Sequence, residues 1–166
     1  MKQVAQHLTE IIGKAIPLLV NISEEEASIT PVPGKWSKKE VIGHLIDSAC
    51  NNHQKFVRTM NAREVRLAGY DQDVWVLVQE YNTQPWLLLL QLLESYNLHL
   101  ANVVSRITDE QLTHVISIDD KELSTLELIV VNYAEHLEHH LKAVLPKSKF
   151  LKDPSNVTGS TVQNAE

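Results

Sequence analysis

Apolar residues return every three to four positions along most of this chain, and residues that cap or break helices bracket each run. Val4, Leu8, Ile11, Ile12, Ala15 and Leu19 mark a first amphipathic helix, which Pro17 is expected to kink near its end. Ser23-Glu24-Glu25-Glu26 reads as a capping box on a short turn, and Thr30-Pro31-Val32-Pro33-Gly34 interrupts regular structure. In Trp36-Ser37-Lys38-Lys39-Glu40-Val41, Ser37 can accept from the third helical amide and Glu40 can reach back to the cap. Trp36 can pack on Val41 as a hydrophobic staple, so a second helix runs from Lys38 to about Met60. A third fits Gln84 to about Arg106, with Thr83 as its cap and Pro85 tolerated in the first turn.

Thr108-Asp109-Glu110-Gln111 marks another short turn, and Val115 to Ile118 reads as irregular or briefly extended, with no strand pairing foreseen. The capping pattern recurs at Leu123 to Leu128, where Ser124 caps, Glu127 closes the box and Leu123 faces Leu128. The fourth helix so opened runs to about Leu145 and is stopped by Pro146. Residues 147–166 are polar and read as a disordered tail, which leaves 1–146 as one all-α domain. Four helices of about twenty residues make a four-helix bundle.

The long crossover at residues 61–83 returns the chain to the end where the second helix began, so the second and third helices should run parallel. An up-down-down-up bundle follows, with the second and fourth helices antiparallel. His44 then lies about 9 Å past the start of the second helix, and the midpoint of His136 and His140 about 10 Å before the end of the fourth. In antiparallel neighbours these levels coincide.

His136 and His140 are four residues apart, which puts them about 40° apart on one helical face. Two imidazoles so placed can reach one divalent ion, and His44 from another helix would complete a three-histidine site with a position open for water or substrate. His53, nine residues beyond His44, points to the opposite side of its helix. His139 could pair with His136 but is less well aligned, while His7, His99 and His114 have no partner at helical spacing. The run His136-Leu137-Glu138-His139-His140 is not the HExxH of zinc proteases, because leucine follows the first histidine and Glu138 projects about 200° away. Asp47, three residues after His44 on the same face, is the acidic candidate for orienting a ligand or taking a proton. Cys50, about 240° round the helix from His44, is expected to pack in the core rather than act as a nucleophile. Tyr70, Asp71, Asp73 and Trp75 offer aromatic and acidic groups in the crossover, whose later part should approach the histidines.

Composition narrows the chemistry. A formal charge of −6 over 166 residues leaves no basic face for phosphates, so nucleic acid is not an expected partner. The chain starts without the apolar core of a signal peptide, and no run approaches the eighteen or so apolar residues of a membrane span, so a cytoplasmic location without membrane contact is expected. One cysteine is consistent with that location.

The stretch from Gly34 to Ser48, with its tryptophan, small hydroxyl residue and following histidine, resembles the signature of the DinB/YfiT-like superfamily. The resemblance continues through Tyr70-Asp71-Gln72-Asp73-Val74-Trp75 and Tyr133 to His140, covering roughly residues 5–145, and is strongest to the YfiT-like branch. Members of that branch are described as metal-dependent hydrolases and bacillithiol transferases. The resemblance implies His44, His136 and His140 as metal ligands, a four-helix bundle, and a homodimer. It also implies an enzyme that transfers a low-molecular-weight thiol to an electrophilic small molecule, or hydrolyses a small substrate. Imidazole donors suit several divalent ions, zinc or nickel foremost. A noncatalytic metal-binding or interaction module on the same bundle is the rival reading.

Overall fold

The computed structural model describes residues 1–145, and the tail expected at 147–166 lies outside the described residues. Helix α1 (Lys2–Leu19) buries Ala5, Leu8, Ile11, Ile12, Ala15 and Leu19, the stripe read from the sequence, and continues through Pro17 to its end. The short α2 (Glu24–Ser28) starts where the Ser23 hydroxyl accepts from the Glu26 amide. Helix α3 (Lys38–Asn61) begins with both halves of the predicted capping box: Glu40 N–H donates to Ser37 Oγ at 3.2 Å, and Ser37 N–H donates to the Glu40 carboxylate at 2.7 Å.

The crossover that follows carries more structure than its sequence suggests. Strand β1 (Glu64–Leu67) leads to α4 (Gln72–Gln79), capped by the Asp71 carboxylate, which accepts from the amides of Asp73 and Val74. A 3₁₀ turn at Tyr81–Thr83 then delivers the chain to α5 (Trp86–Ser105). This helix starts two residues later than foreseen. Pro85 is its cap residue and has no acceptor side chain, so a carboxylate oxygen of Glu24 in α2 accepts the Trp86 amide at 2.8 Å. Thr83, the expected cap, turns its hydroxyl back to the Glu80 carbonyl.

After α6 (Asp109–Leu112), with its Thr108–Gln111 capping box, the chain forms β2 (Val115–Ile118) and β3 (Ser124–Thr125) before α7 (Leu126–Val144). The strand pairing corrects the sequence reading. β1 pairs in parallel with β2 from Glu64↔Val115 to Leu67↔Ile118, and β2 pairs antiparallel with β3. Strands of four and two residues are too short to show an alternating pattern, and their hydrogen bonds join segments far apart in sequence. The cap of α7 is likewise Thr125 rather than Ser124: its hydroxyl accepts from Leu128 N–H at 3.2 Å, and both residues pair with β2.

The four long helices run up-down-down-up, as expected. Lys38 Nζ donates to the Val144 carbonyl at one end of the α3–α7 seam, while Phe56 meets Tyr133 further along it, so these helices are antiparallel. His53 touches Tyr96 and His99, and Lys39 reaches the Asn82 carbonyl, which sets α3 parallel to α5. Trp86 Nε1–H donates to the Leu19 carbonyl at 3.1 Å, joining the end of α1 to the start of α5. Lys39 is buried and paired with Glu24, so this one carboxylate ties α2, α3 and α5 together. Among the described residues no helix is long and apolar enough to cross a membrane. Cys50 is exposed, in contrast to its expected core position.

Trp86 is one of the largest fully buried side chains. Trp86→Ala is expected to lower unfolding free energy by about 3–5 kcal/mol, read from the midpoint of a denaturant titration. A change below about 1 kcal/mol would contradict its place in the core.

Candidate metal centre

His44 lies in the second turn of α3, and His136 and His140 occupy successive turns of α7. The antiparallel register brings them together. His44 Nε2 lies 3.1 Å from His136 Nε2, and the ring centroids are 5.1 Å (His44–His136), 5.0 Å (His44–His140) and 4.5 Å (His136–His140) apart. Each residue offers one nitrogen, and all three nitrogens lie within 4.8 Å of one another.

Burial sets the charge of this group. It pushes the pKa of His44 down to about 4, with the neighbouring His140 adding to the shift. His136 is likewise lowered to about 4, by burial first and then by the charges of His140 and His44, and His140 is lowered by burial and by His139. Imidazoles this close cannot all carry protons, so at neutral pH they present lone pairs. Two nitrogens bound to one zinc ion at about 2.0–2.1 Å and a tetrahedral angle would be about 3.3–3.4 Å apart, close to the 3.1 Å observed for His44 and His136. Their Nδ1 atoms are buried without a hydrogen-bond partner among the described residues. The donor set fits a divalent transition metal.

The other histidines are used elsewhere. His139 is exposed and packs edge-on to His140, outside the cluster. His53 meets Tyr96 Oη at 3.1 Å, and His114 Nδ1 meets the Thr59 carbonyl at 2.7 Å. His7 faces Glu138, which also pairs with Lys142, so Glu138 points away from the cluster as the rejected protease motif required.

Asp47 is buried, but its partners lie in the crossover. Its Oδ1 accepts from Gln79 Nε2 at 2.8 Å and from Tyr81 Oη at 2.7 Å, while Oδ2 has no partner among the described residues. Burial raises its pKa, and the two hydrogen bonds work against that shift. Neither orphaned imidazole Nδ1 donates to it. Tyr81 approaches α3 closely because residue 43 is glycine: a methyl group there would fall within the Tyr81 ring. Tyr70 packs on Trp75 at 4.8 Å, and burial together with the Asp47 charge raises its pKa to about 12. The crossover therefore reaches α3 through Gln79 and Tyr81, later in sequence than Trp75.

Three features were not foreseen. Trp36 packs on His44 with ring centroids 5.1 Å apart, in addition to any staple on Val41. Gln79 and Tyr81 had no local signal beyond the glycine preceding His44. Lys55 is half-buried with a pKa lowered by that burial, forms no ion pair among the described residues, and adds positive potential at His136. Its place three helical turns after His44, on nearly the same face, was the available signal.

Residues 7–144 match the DinB superfamily. A candidate metal-dependent hydrolase of Halalkalibacterium halodurans is 24% identical over 82% of this chain and 79% of its own. One from Oceanobacillus iheyensis is 25% identical over 85% and 79%. YfiT of Bacillus subtilis, similarly named, is 23% identical over 87% and 82%. A solved structure of YfiT, described as an unusual four-helix bundle, superposes with a TM-score of 0.78 at 23% identity, covering 86% of this chain and 82% of that one.

Gly43→Ala is expected to cost about 1–3 kcal/mol by forcing Tyr81 off α3, although alanine is the better helix former. Chemical denaturation measures this, and a stabilised variant would contradict the close approach.

Proposed function

The chain belongs to the DinB superfamily, and from that premise we propose that it is a metal-dependent enzyme that transfers a low-molecular-weight thiol to an electrophilic small molecule. His44, His136 and His140 would hold the ion, zinc or nickel, and a low-molecular-weight thiol would be the co-substrate. Bound there, a divalent ion supplies Lewis acidity that keeps a thiol deprotonated at neutral pH, or lowers the pKa of water.

The observation that carries the reading is the convergence of three imidazole nitrogens to within 4.8 Å of one another, and the resemblance to bacillithiol transferases favours a thiol as the nucleophile. Asp47, the acidic candidate, directs its Oδ1 to Gln79 and Tyr81, and Glu138 is engaged by His7 and Lys142. Hydrolysis of a small substrate is the second reading, favoured by the names of the relatives.

The chain's own residues have separate tasks in this reading. The imidazoles bind the ion as neutral donors, Trp36 shields one side of His44, and the positive charge of Lys55 favours anionic groups near His136. Asp47 positions Tyr81 and Gln79, and through them the crossover. A cytoplasmic homodimer completes the proposal, with Leu88 and Leu92, exposed one turn apart on α5, as apolar surface for a second copy.

Metal analysis and turnover test the assignment together. The purified protein is expected to hold about one ion per chain, to lose it in His44→Ala and in His136→Ala, and to lose thiol–electrophile turnover in parallel. A bound ion with no turnover on thiol and ester panels would favour the noncatalytic module, and ester turnover alone would favour hydrolysis. For the dimer, Leu88→Glu combined with Leu92→Glu is expected to halve the mass measured by light scattering, and an unchanged mass would exclude this face.

A further inference from the structure

A cavity of about 460 Å³ opens between the segment linking α2 to α3 and the last turns of α7. Ile29, Pro31, Trp36, Val41 and Ala143 line it, and its remaining walls include His140. His140 belongs to the histidine cluster as well, and Trp36 stands between the cavity and His44, on whose ring it packs. The size falls in the range of small-molecule sites, and mostly apolar walls with few polar groups are their common character. The hollow on the opposite side of the bundle, between Lys2, Thr9, Leu98 and Ser105, contains no residue of the cluster.

The charged groups at the mouth do not alter that character. Glu26, Lys35 and Lys38 are the cavity's charged lining residues: Lys38 donates to the Val144 carbonyl at 3.1 Å and faces Glu26 at 3.7 Å, and Lys35 is exposed. What remains is an apolar chamber with one metal-ligating imidazole in its wall. We propose that this chamber receives an alkyl or aryl group of the electrophilic substrate while the reacting end faces His140, so that the enzyme selects hydrophobic electrophiles. This rests on the metal-dependent reading of the same histidines. Ile29, Trp36 and Ala143 are then the specificity-determining residues.

A homologous series of n-alkyl hydroxamates, from acetohydroxamate to octanohydroxamate, tests the chamber by titration calorimetry on the zinc-loaded full-length protein. Each methylene that enters is expected to tighten Kd by about three- to fourfold. Ala143→Trp, a change at an exposed helix position, should fill the chamber, leave zinc content unchanged and bring octanohydroxamate to the affinity of acetohydroxamate. Ile29→Asp, also at an exposed position, should weaken the long chains more than the short ones. A spread below twofold across the series in the wild type, or a chain-length gain that persists in Ala143→Trp, overturns the proposal.

A second arm separates this failure from failure of the metal reading. Octan-1-ol, which is no chelator, is expected to change the fluorescence of the metal-free protein, with the change lost in Trp36→Phe. If zinc binds and chain length has no effect, the chamber is excluded and the metal site stands. If no metal is taken up and octan-1-ol still reports through Trp36, the metal reading fails and the apolar chamber stands.

Discussion

The antiparallel register of α3 and α7 is the constraint on which the site depends. A slip of one turn along this seam, about 5.4 Å, would leave at most one of His136 and His140 beside His44, because the two are themselves one turn apart. The register is held from both directions, by Lys38 on the Val144 carbonyl at one end and by Phe56 against Tyr133 further along. Between these contacts, burial decides the protonation state. Three imidazoles withdrawn from solvent and close to one another are driven neutral, and neutral imidazoles are the form that binds a transition metal. The same seam leaves the Nδ1 atoms of His44 and His136 buried without a partner among the described residues.

Around that seam the fold attaches its less regular parts by single polar side chains. Glu24 from a five-residue helix pairs with the buried Lys39 and accepts the first amide of α5, replacing the cap that Pro85 cannot supply. Asp47 does similar work about two turns further along α3 by holding Gln79 and Tyr81, and the missing side chain at Gly43 lets the tyrosine ring approach. Both carboxylates bind segments distant in sequence. Asp47 thereby ties the end of the crossover to α3.

Much of the architecture could be read from the chain alone, because its signals act within one or two helical turns. The buried stripe of α1, the Ser37–Glu40 capping box, the short turn at Thr108–Gln111 and the 40° offset of His136 and His140 each depend on residues close together in sequence. Helix lengths combined with the long crossover were enough for the up-down-down-up order, and so for the level at which His44 meets its partners.

Tertiary structure decided what depends on contacts between distant segments. Strands as short as β1 and β3 have too few residues for a pattern, so their pairing exists only once the helices bring them together. Glu24 rather than Thr83 caps α5 because α2 folds against it. Cys50 is exposed, since helical angle tells which residues share a face and not which face a neighbour will cover. For the same reason local periodicity could place three histidines on two helices, while the 3.1 Å approach of two of their nitrogens came from packing.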